Sequence, residues 1–334
     1  MAPMTAEELK QHPEYNHTIW DLKPDQKGTV AVANDRGGPI NIAYEVHGTG
    51  DRHLVWIMGL GGMKYAWQRQ TKDFAHDKGD QYSSLVIDNR GIGDSDKPRW
   101  RYSTSEMAKD VVELVDHLGW KGQKELHIIG ISMGGMIAQE LGFVENLVNR
   151  VNLFLPKSLD EQLAGVKANL YTSEWLNAPD SIPPVTKSFP TNGDRFAANE
   201  LWKRQHPALF EKPGFILQAV AAGWHYKSPA QLHNIANTVG KKRIMLVHGT
   251  EDKMLTFPHG VVLWRGLEKG EGRTGRENWL GIEEEEDVWT EGEIEKHFVK
   301  GQGHVLPAEM RAEVNEWLEK LFERGIEMNR EEGI

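Results

Sequence analysis

Apolar positions along the chain fall into two patterns: short, nearly continuous runs, and longer stretches with a single apolar face. Leu54–Met58 (LVWIM), Ser84–Asp88 (SLVID), Leu126–Ile129 (LHII) and Arg243–His248 (RIMLVH) are of the first kind. They predict strands inside a sheet covered on both faces. Gly28–Ala33 and Asn41–His47, joined by the turn cluster Asn34-Asp35-Arg36-Gly37-Gly38, predict a hairpin, and Glu295–Val299 a last strand. The clearest helix follows Ser103. Ser103 and Glu106 fit a capping box, and Met107, Val111, Leu114, Val115 and Leu118 share a face before Gly119. A final helix is predicted to start at Pro307, bury Val314, Trp317, Leu318, Leu321 and Phe322, and stop at Gly325. Strands alternating with amphipathic helices predict an α/β fold, its mostly parallel central sheet flanked by helices on both faces.

Between about 156 and 240 the strand pattern vanishes and helical runs take over, at Ser158–Tyr171, Gly193–Gln205, Phe215–His225 and Ser228–Val239. This predicts a helical cap inserted into the sheet domain. Most of its large aromatics (Trp175, Trp202, Trp224, Phe196, Phe215) are expected to form the cap's own core, the rest to face a cleft. The predicted organisation is an N-terminal lead-in at 1–27, loosely held, and a first core part at 28–155. The cap at 156–240, a second core part at 241–325 with a hydrophilic insertion at about 268–293, and a mobile tail at 326–334 complete it. Five consecutive acids at Glu283–Asp287 read as a solvated loop. Gly142–Pro156 reads two ways. Arg150–Leu155 (RVNLFL) is a candidate sheet strand, whereas Phe143–Lys157 is equally compatible with a helix belonging to the cap.

Composition narrows the function classes. A formal net charge of −10 over 334 residues argues against nucleic acid as a partner. The chain has no cysteine, which removes disulfides, thiolate nucleophiles and cysteine-ligated zinc and suits a reducing compartment. The polar N-terminus has no signal-peptide core, and no apolar run approaches the ~20 residues that span a bilayer. A soluble, cytoplasmic protein is expected. Neither an H-E-x-x-H pair nor a G-x-G-x-x-G or Walker A loop occurs, so no metal and no cofactor is predicted.

The chemistry centres on Gly130-Ile131-Ser132-Met133-Gly134, a G-x-S-x-G between a predicted strand and a predicted helix. In that context the turn is a nucleophile elbow, which lifts a serine hydroxyl clear of the sheet edge. A serine is a poor nucleophile near neutral pH and needs a base, an acid to orient the base, and donors for an oxyanion. His304 follows the last strand in Gly301-Gln302-Gly303-His304, and Asp252 lies four residues beyond RIMLVH, with Glu251 as the alternative acid. The backbone N–H groups of Met133, at the helix start, and Leu60, after LVWIM, are the candidate oxyanion donors. His127 and His248 read as structural, and Asp88, Asp94 and Asp96 as turn formers.

Over roughly residues 40–155 and 240–323 the chain resembles the α/β-hydrolase-fold superfamily, in its capped serine-hydrolase branch. The resemblance rests on Met58-Gly59-Leu60-Gly61-Gly62 for the oxyanion loop and Asp88-Asn89-Arg90-Gly91-Ile92-Gly93-Asp94-Ser95 for D-x-R-G-x-G-x-S. The elbow, His248-Gly249-Thr250-Glu251-Asp252 and Gly303-His304 follow in the order nucleophile, acid, base. Met58 stands where many members have histidine, and the acid-to-base segment is long. The resemblance implies a Ser132–His304–Asp252 triad that cleaves a small apolar carboxylic ester, lactone or related acyl substrate through an acyl-enzyme. It selects Asp252 over Glu251. Epoxide-hydrolase and dehalogenase relatives need aspartate at position 132. Carbon–carbon bond hydrolysis and perhydrolysis use the same triad, and a non-catalytic ligand-binding member is the alternative from another class. The sequence carries no signal of oligomeric state.

Overall fold

A computed structural model describes residues 3–120, 126–141, 158–272, 282 and 285–334. Both readings of Gly142–Pro156 therefore fall outside the described residues. The chain divides into two compact units. The first holds Trp20–Leu153, His206–Lys227 and Ile326–Ile334; the second holds Met1–Ile19, Phe154–Gln205 and Ser228–Gly325. The segment read as a cap is thus shared between them.

The first unit is built on β1 (Gln26–Val32), β2 (Ile40–His47), β3 (Arg52–Ile57), β4 (Tyr82–Ile87) and β5 (Leu126–Gly130), in the order β1-β2-β4-β3-β5. The predicted hairpin β1–β2 is antiparallel, β2 pairs antiparallel with β4, and β3 lies parallel between β4 and β5. The all-apolar run in β3 serves two cores at once, because successive side chains point to opposite faces. Val55 and Ile57 join Leu85 and Ile87 under the helices Thr104–His117 and Met133–Leu141, against Met107, Val111, Leu114 and Ile137. Trp56 faces the other way, within 5.0 Å of Trp67 and 5.7 Å of Phe74 by ring centroid, its indole N–H donated to Ser84. β5, expected to be buried, is half-buried in the structure and, among the described residues, pairs only with β3.

Ser103 caps its helix, accepting from the Glu106 N–H, but the reciprocal half of the box is absent. Glu106 is drawn away to Arg36 and Lys109. Arg36, from the hairpin turn, also reaches Asp110 at 3.0 Å, and Asp110 is gripped bidentately by Arg90 at 2.6 Å and 2.6 Å. A second buried group fixes the elbow helix. Its Glu140 accepts from Thr104 at 3.0 Å and from Lys227 at 2.6 Å, with His225 at 3.2 Å. Burial alone would raise the Glu140 carboxyl, but His225 and Lys227 outweigh it and bring it down to about 2.

The second unit contains β6 (Met245–Gly249) and β7 (Glu295–Val299), which pair in parallel, and the helices Leu159–Leu170, Asn192–Arg204, Pro229–Val239 and Phe257–Lys269. Tyr171 stacks on Trp175 and meets Phe196 edge-on, at 4.4 Å and 5.0 Å between ring centroids.

The N-terminal segment departs from expectation. It is not a loose lead-in. Thr5 and Glu8 form a capping box on the helix Ala6–Gln11. That helix buries Leu9 with Leu163, Phe189, Ala198 and Leu201, a burial that stabilises by about 2 kcal/mol for the leucine. Glu14, 1 % exposed, accepts from the N–H groups of Val185 and Thr186. Its burial opposes ionisation, yet these donors, the Thr186 hydroxyl and Arg195 hold its carboxyl at about 2. A folded-state value depressed from 4.5 contributes stability that is full above about pH 4.5 and lost as the pH falls towards about 2. Glu14→Gln should therefore flatten the fall of Tm across that window. A variant with the wild-type slope would show that Glu14 does not carry this linkage.

The C-terminal helix also differs. Leu306–Glu309 is a separate turn, and Arg311–Glu332 runs on through Gly325 into the segment expected to be mobile. Val314, Leu318 and Phe322 are buried, whereas Trp317 is half-buried and stacks on His297 at 3.9 Å. Gly325 is no stop because it packs inside, and its carbonyl accepts from Arg243 at 3.1 Å. Within the acidic run, Asp287 pairs with Arg265 and Lys269, and Glu285 with Arg265, so these two are not simply solvated. No helix among the described residues is long and apolar enough to cross a membrane.

Candidate active site

Ser132, Leu60 and Met133 lie in the first unit, Asp252 and His304 in the second.

Ser132 has φ +55, a left-handed conformation that a non-glycine residue rarely adopts and that costs about 1–3 kcal/mol. The turn is closed by Gly134 N–H to Ile131 O at 2.7 Å and Met136 N–H to Ser132 O at 3.2 Å. Its glycines are required by close approach. A Cβ on Gly134 would stand 2.1 Å from the Ile57 carbonyl oxygen, and one on Gly130 2.2 Å from that of Gly134. Ile131 N–H bonds Ile57 O at 3.2 Å, which docks the elbow on the end of β3. The serine side chain faces the loop after β3, since a Cβ on Gly59 would lie 3.0 Å from Ser132 Cβ and 3.6 Å from its Oγ.

That loop leaves the predicted donors available. Gly62 donates to Gly59 O at 3.1 Å, and Gly61 donates to Gln218 Oε1 at 3.0 Å. Among the described residues neither Leu60 N–H nor Met133 N–H has a hydrogen-bond partner. For Met133, the first residue of its helix, that follows from helix geometry. Backbone N–H groups left uncommitted in this way are able to donate to a negatively charged oxygen. The Asp88–Ser95 segment supports it as turn structure. Asp88 accepts from the amides of Lys64 and Asp94, Asp96 accepts from Asn41, and Asn89 donates to Met58 O at 3.0 Å.

In the second unit, His304 Nδ1 and Asp252 Oδ2 are 2.7 Å apart, and both residues are buried. The other Asp252 oxygen accepts from the Met254 and Leu255 amides at 2.8 Å and 2.9 Å. Burial works to raise the Asp252 carboxyl, but His304 and the Leu255 amide more than offset it and hold it below the usual carboxylate range. Glu251 is exposed and uses its N–H to tie the acid turn to Gln302 O. The structure thus brings Asp252, not Glu251, to the histidine. His248 bonds Leu255 O at 2.8 Å, a structural role as expected, and burial lowers its pKa.

Two polar residues, the half-buried Glu309 and the buried Gln218, escaped the sequence reading. Glu309 accepts from Gly303 N–H and Thr172 N–H, both at 2.7 Å, while His304 N–H donates to Leu170 O at 2.9 Å. The base turn is therefore held to the chain just after Leu159–Leu170, and burial raises the Glu309 carboxyl. Gln218 is the other. Glu309 follows His304 by only five positions, yet nothing in the local spacing marks either residue, because their partners are backbone groups, in part from loops far off in the chain.

A sheet that opens on an antiparallel hairpin and continues in parallel strands, followed by a strand–elbow–helix with a strained serine, defines an α/β-hydrolase architecture. Comparisons with known proteins agree. Residues 52–152 match the family model described as alpha/beta hydrolase fold. The chain is 35% identical over 235 residues, 66% of its own length and 82% of the relative's, to a putative non-heme bromoperoxidase BpoC of Mycobacterium tuberculosis. It is 33% identical over 241 residues, 64% of its length and 79% of the relative's, to a putative carbamate hydrolase RutD of Caulobacter segnis. Among solved structures, Est816, described as an N-acyl homoserine lactone degrading enzyme, superposes with a TM-score of 0.57 at 21% identity, covering 85% of this chain and 98% of that one. The chain belongs to the α/β-hydrolase family, with a mostly parallel central sheet and flanking helices.

Proposed function

We propose that the protein is a serine hydrolase of a small carboxylic ester, lactone or related acyl substrate. The observation that carries this reading is Ser132 held at φ +55 beside two uncommitted amides. The buried Asp252–His304 pair supports it from the second unit. In the proposed reaction Ser132 Oγ attacks the acyl carbon while His304 Nε2, left free by the Nδ1 bond to Asp252, takes the proton. The Leu60 and Met133 N–H groups hold the oxyanion. The tetrahedral intermediate collapses, the leaving group takes the proton back from His304, and Ser132 is acylated. Water, deprotonated by His304, then releases the acid and restores the serine. Asp252 stays ionised and keeps the imidazole in one tautomer. The cap is proposed to shelter the acyl group, and no metal or cofactor takes part. With a p-nitrophenyl ester, the test is a stoichiometric nitrophenol burst accompanied by an acyl mass gain on the Ser132 peptide. Turnover without that adduct would reject the mechanism.

Asp252→Asn tests the role of the acid. It keeps the shape of the pair but favours the wrong tautomer of His304, so kcat should fall by about 10⁴. A fall below about tenfold in pre-steady-state acylation would show that Asp252 does not orient the base.

Similarity to a putative bromoperoxidase favours a second reading, in which hydrogen peroxide instead of water attacks the acyl-enzyme. Ser132 is then released and the acyl group leaves as a peracid. Peracid formation from an ester and peroxide, at a rate competing with hydrolysis, distinguishes the two.

A further inference from the structure

Helix Lys212–Gly223 belongs to the same unit as the elbow and carries one polar side chain with no exposure, Gln218. Its Oε1 accepts from Gly61 N–H at 3.0 Å, and its Nε2 donates to Arg90 O at 2.9 Å. We propose that Gln218 is a positioning residue for the oxyanion site, fixing the direction of the Leu60 N–H by clamping the loop after β3 to the Asp88–Ser95 turn. The inference rests on the hydrolase reading above.

Two peptide planes meet at Leu60. The first contains Gly59 C=O and Leu60 N–H, which point in opposite directions in a trans peptide. Gly62 N–H holds that carbonyl at 3.1 Å. The second contains Leu60 C=O and Gly61 N–H, and Gln218 holds it. With both planes fixed, Leu60 N–H has one direction. Asn89 secures the start of the loop through Met58 O. Gly61 has φ +66, so without Gln218 the glycine is free to rotate and carry the neighbouring plane with it.

The other end of the clamp is rigid. Arg90 is 1 % exposed and held bidentately by Asp110, so its carbonyl is a fixed anchor. The helix packs closely enough to leave no slack, since a Cβ on Gly214 would lie 2.0 Å from Gly91 O. A buried amide with both ends satisfied is costly to disrupt, and an oxyanion donor acts only when already aimed.

The test is Gln218→Met, which keeps the volume and removes both hydrogen bonds, assayed beside wild type and Ile216→Ala. Ile216 is 41% exposed on the same helix and should leave activity unchanged. A misaimed donor should cost less than a deleted one, so kcat should fall about 10- to 100-fold with KM within about twofold. Affinity for a trifluoromethyl ketone, whose adduct places an oxyanion in the site, should weaken by the same factor as kcat/KM. If the methionine variant loses cooperative unfolding, Gln218→Asn carries the same expectation, being too short to reach both loops. Wild-type kcat and ketone affinity in a folded variant would overturn the inference. So would a fall in kcat with ketone affinity unchanged, which marks a packing effect. A wild type that neither turns over esters nor acylates Ser132 would instead overturn the hydrolase reading and this inference with it.

Discussion

Replacing Ser132 with alanine should lower ester-hydrolysing kcat by about 10⁴–10⁶ and leave the fold intact. In serine hydrolases the nucleophile is not replaceable by its neighbours, and residual catalysis comes from the oxyanion donors and binding alone. Alanine keeps the same φ of +55 and the same strain, so stability should change by less than about 0.5 kcal/mol. Ser132→Gly separates the two roles. It is equally inactive, but glycine tolerates the left-handed conformation, and the variant should gain up to about 1 kcal/mol against urea. A glycine variant less stable than alanine would mean that the elbow holds no strain. Activity retained in either would remove Ser132 from the chemistry.

The largest effect on stability is expected at Asp110, which serves no step of the reaction. Its side chain is 4% exposed between Arg90 at 1% and Arg36 at 17%. Asp110→Ala would leave the Arg90 guanidinium buried without its bidentate partner, and breaking a buried pair from one side costs about 3–5 kcal/mol. The exposed pair Lys320–Glu316, with side chains 62% and 63% accessible, is the contrast. Its loss should cost no more than about 0.5 kcal/mol. Urea midpoints of the two variants decide the matter, and equal shifts would contradict the assignment. Asp110→Ala should also lower kcat, because the carbonyl that anchors Gln218 belongs to Arg90.

What was legible in the sequence had short-range physical causes. β3 and β4 show themselves because strands covered on both faces need apolar residues at consecutive positions. The elbow does so because Gly134 and Gly130 have no room for a Cβ. Asp252 and His304 were found by their places after β6 and β7, and they stand 2.7 Å apart. Three kinds of feature were not legible. Gln218 acts on Gly61 across 157 positions of chain, and a glutamine in an apolar helix looks like any other. The N-terminal helix carries a capping box at Thr5 and Glu8, but its buried face is too short for a periodicity to stand out. Gly325 reads as a terminator, yet the helix continues through it, with Gly325 buried and its carbonyl bonded to Arg243. The Glu283–Asp287 run misled for the opposite reason: Arg265 and Lys269, which neutralise part of it, lie on a helix some twenty positions earlier.

The central claim is that Ser132 is an activated nucleophile. Its most direct test is a fluorophosphonate probe applied to the folded wild-type protein, with the adduct located by peptide mass mapping. The account predicts one adduct, on the peptide carrying Ser132, lost in Ser132→Ala and slowed in Asp252→Asn. A cooperatively folded wild type that stays unlabelled, or carries the label on another residue, would contradict it.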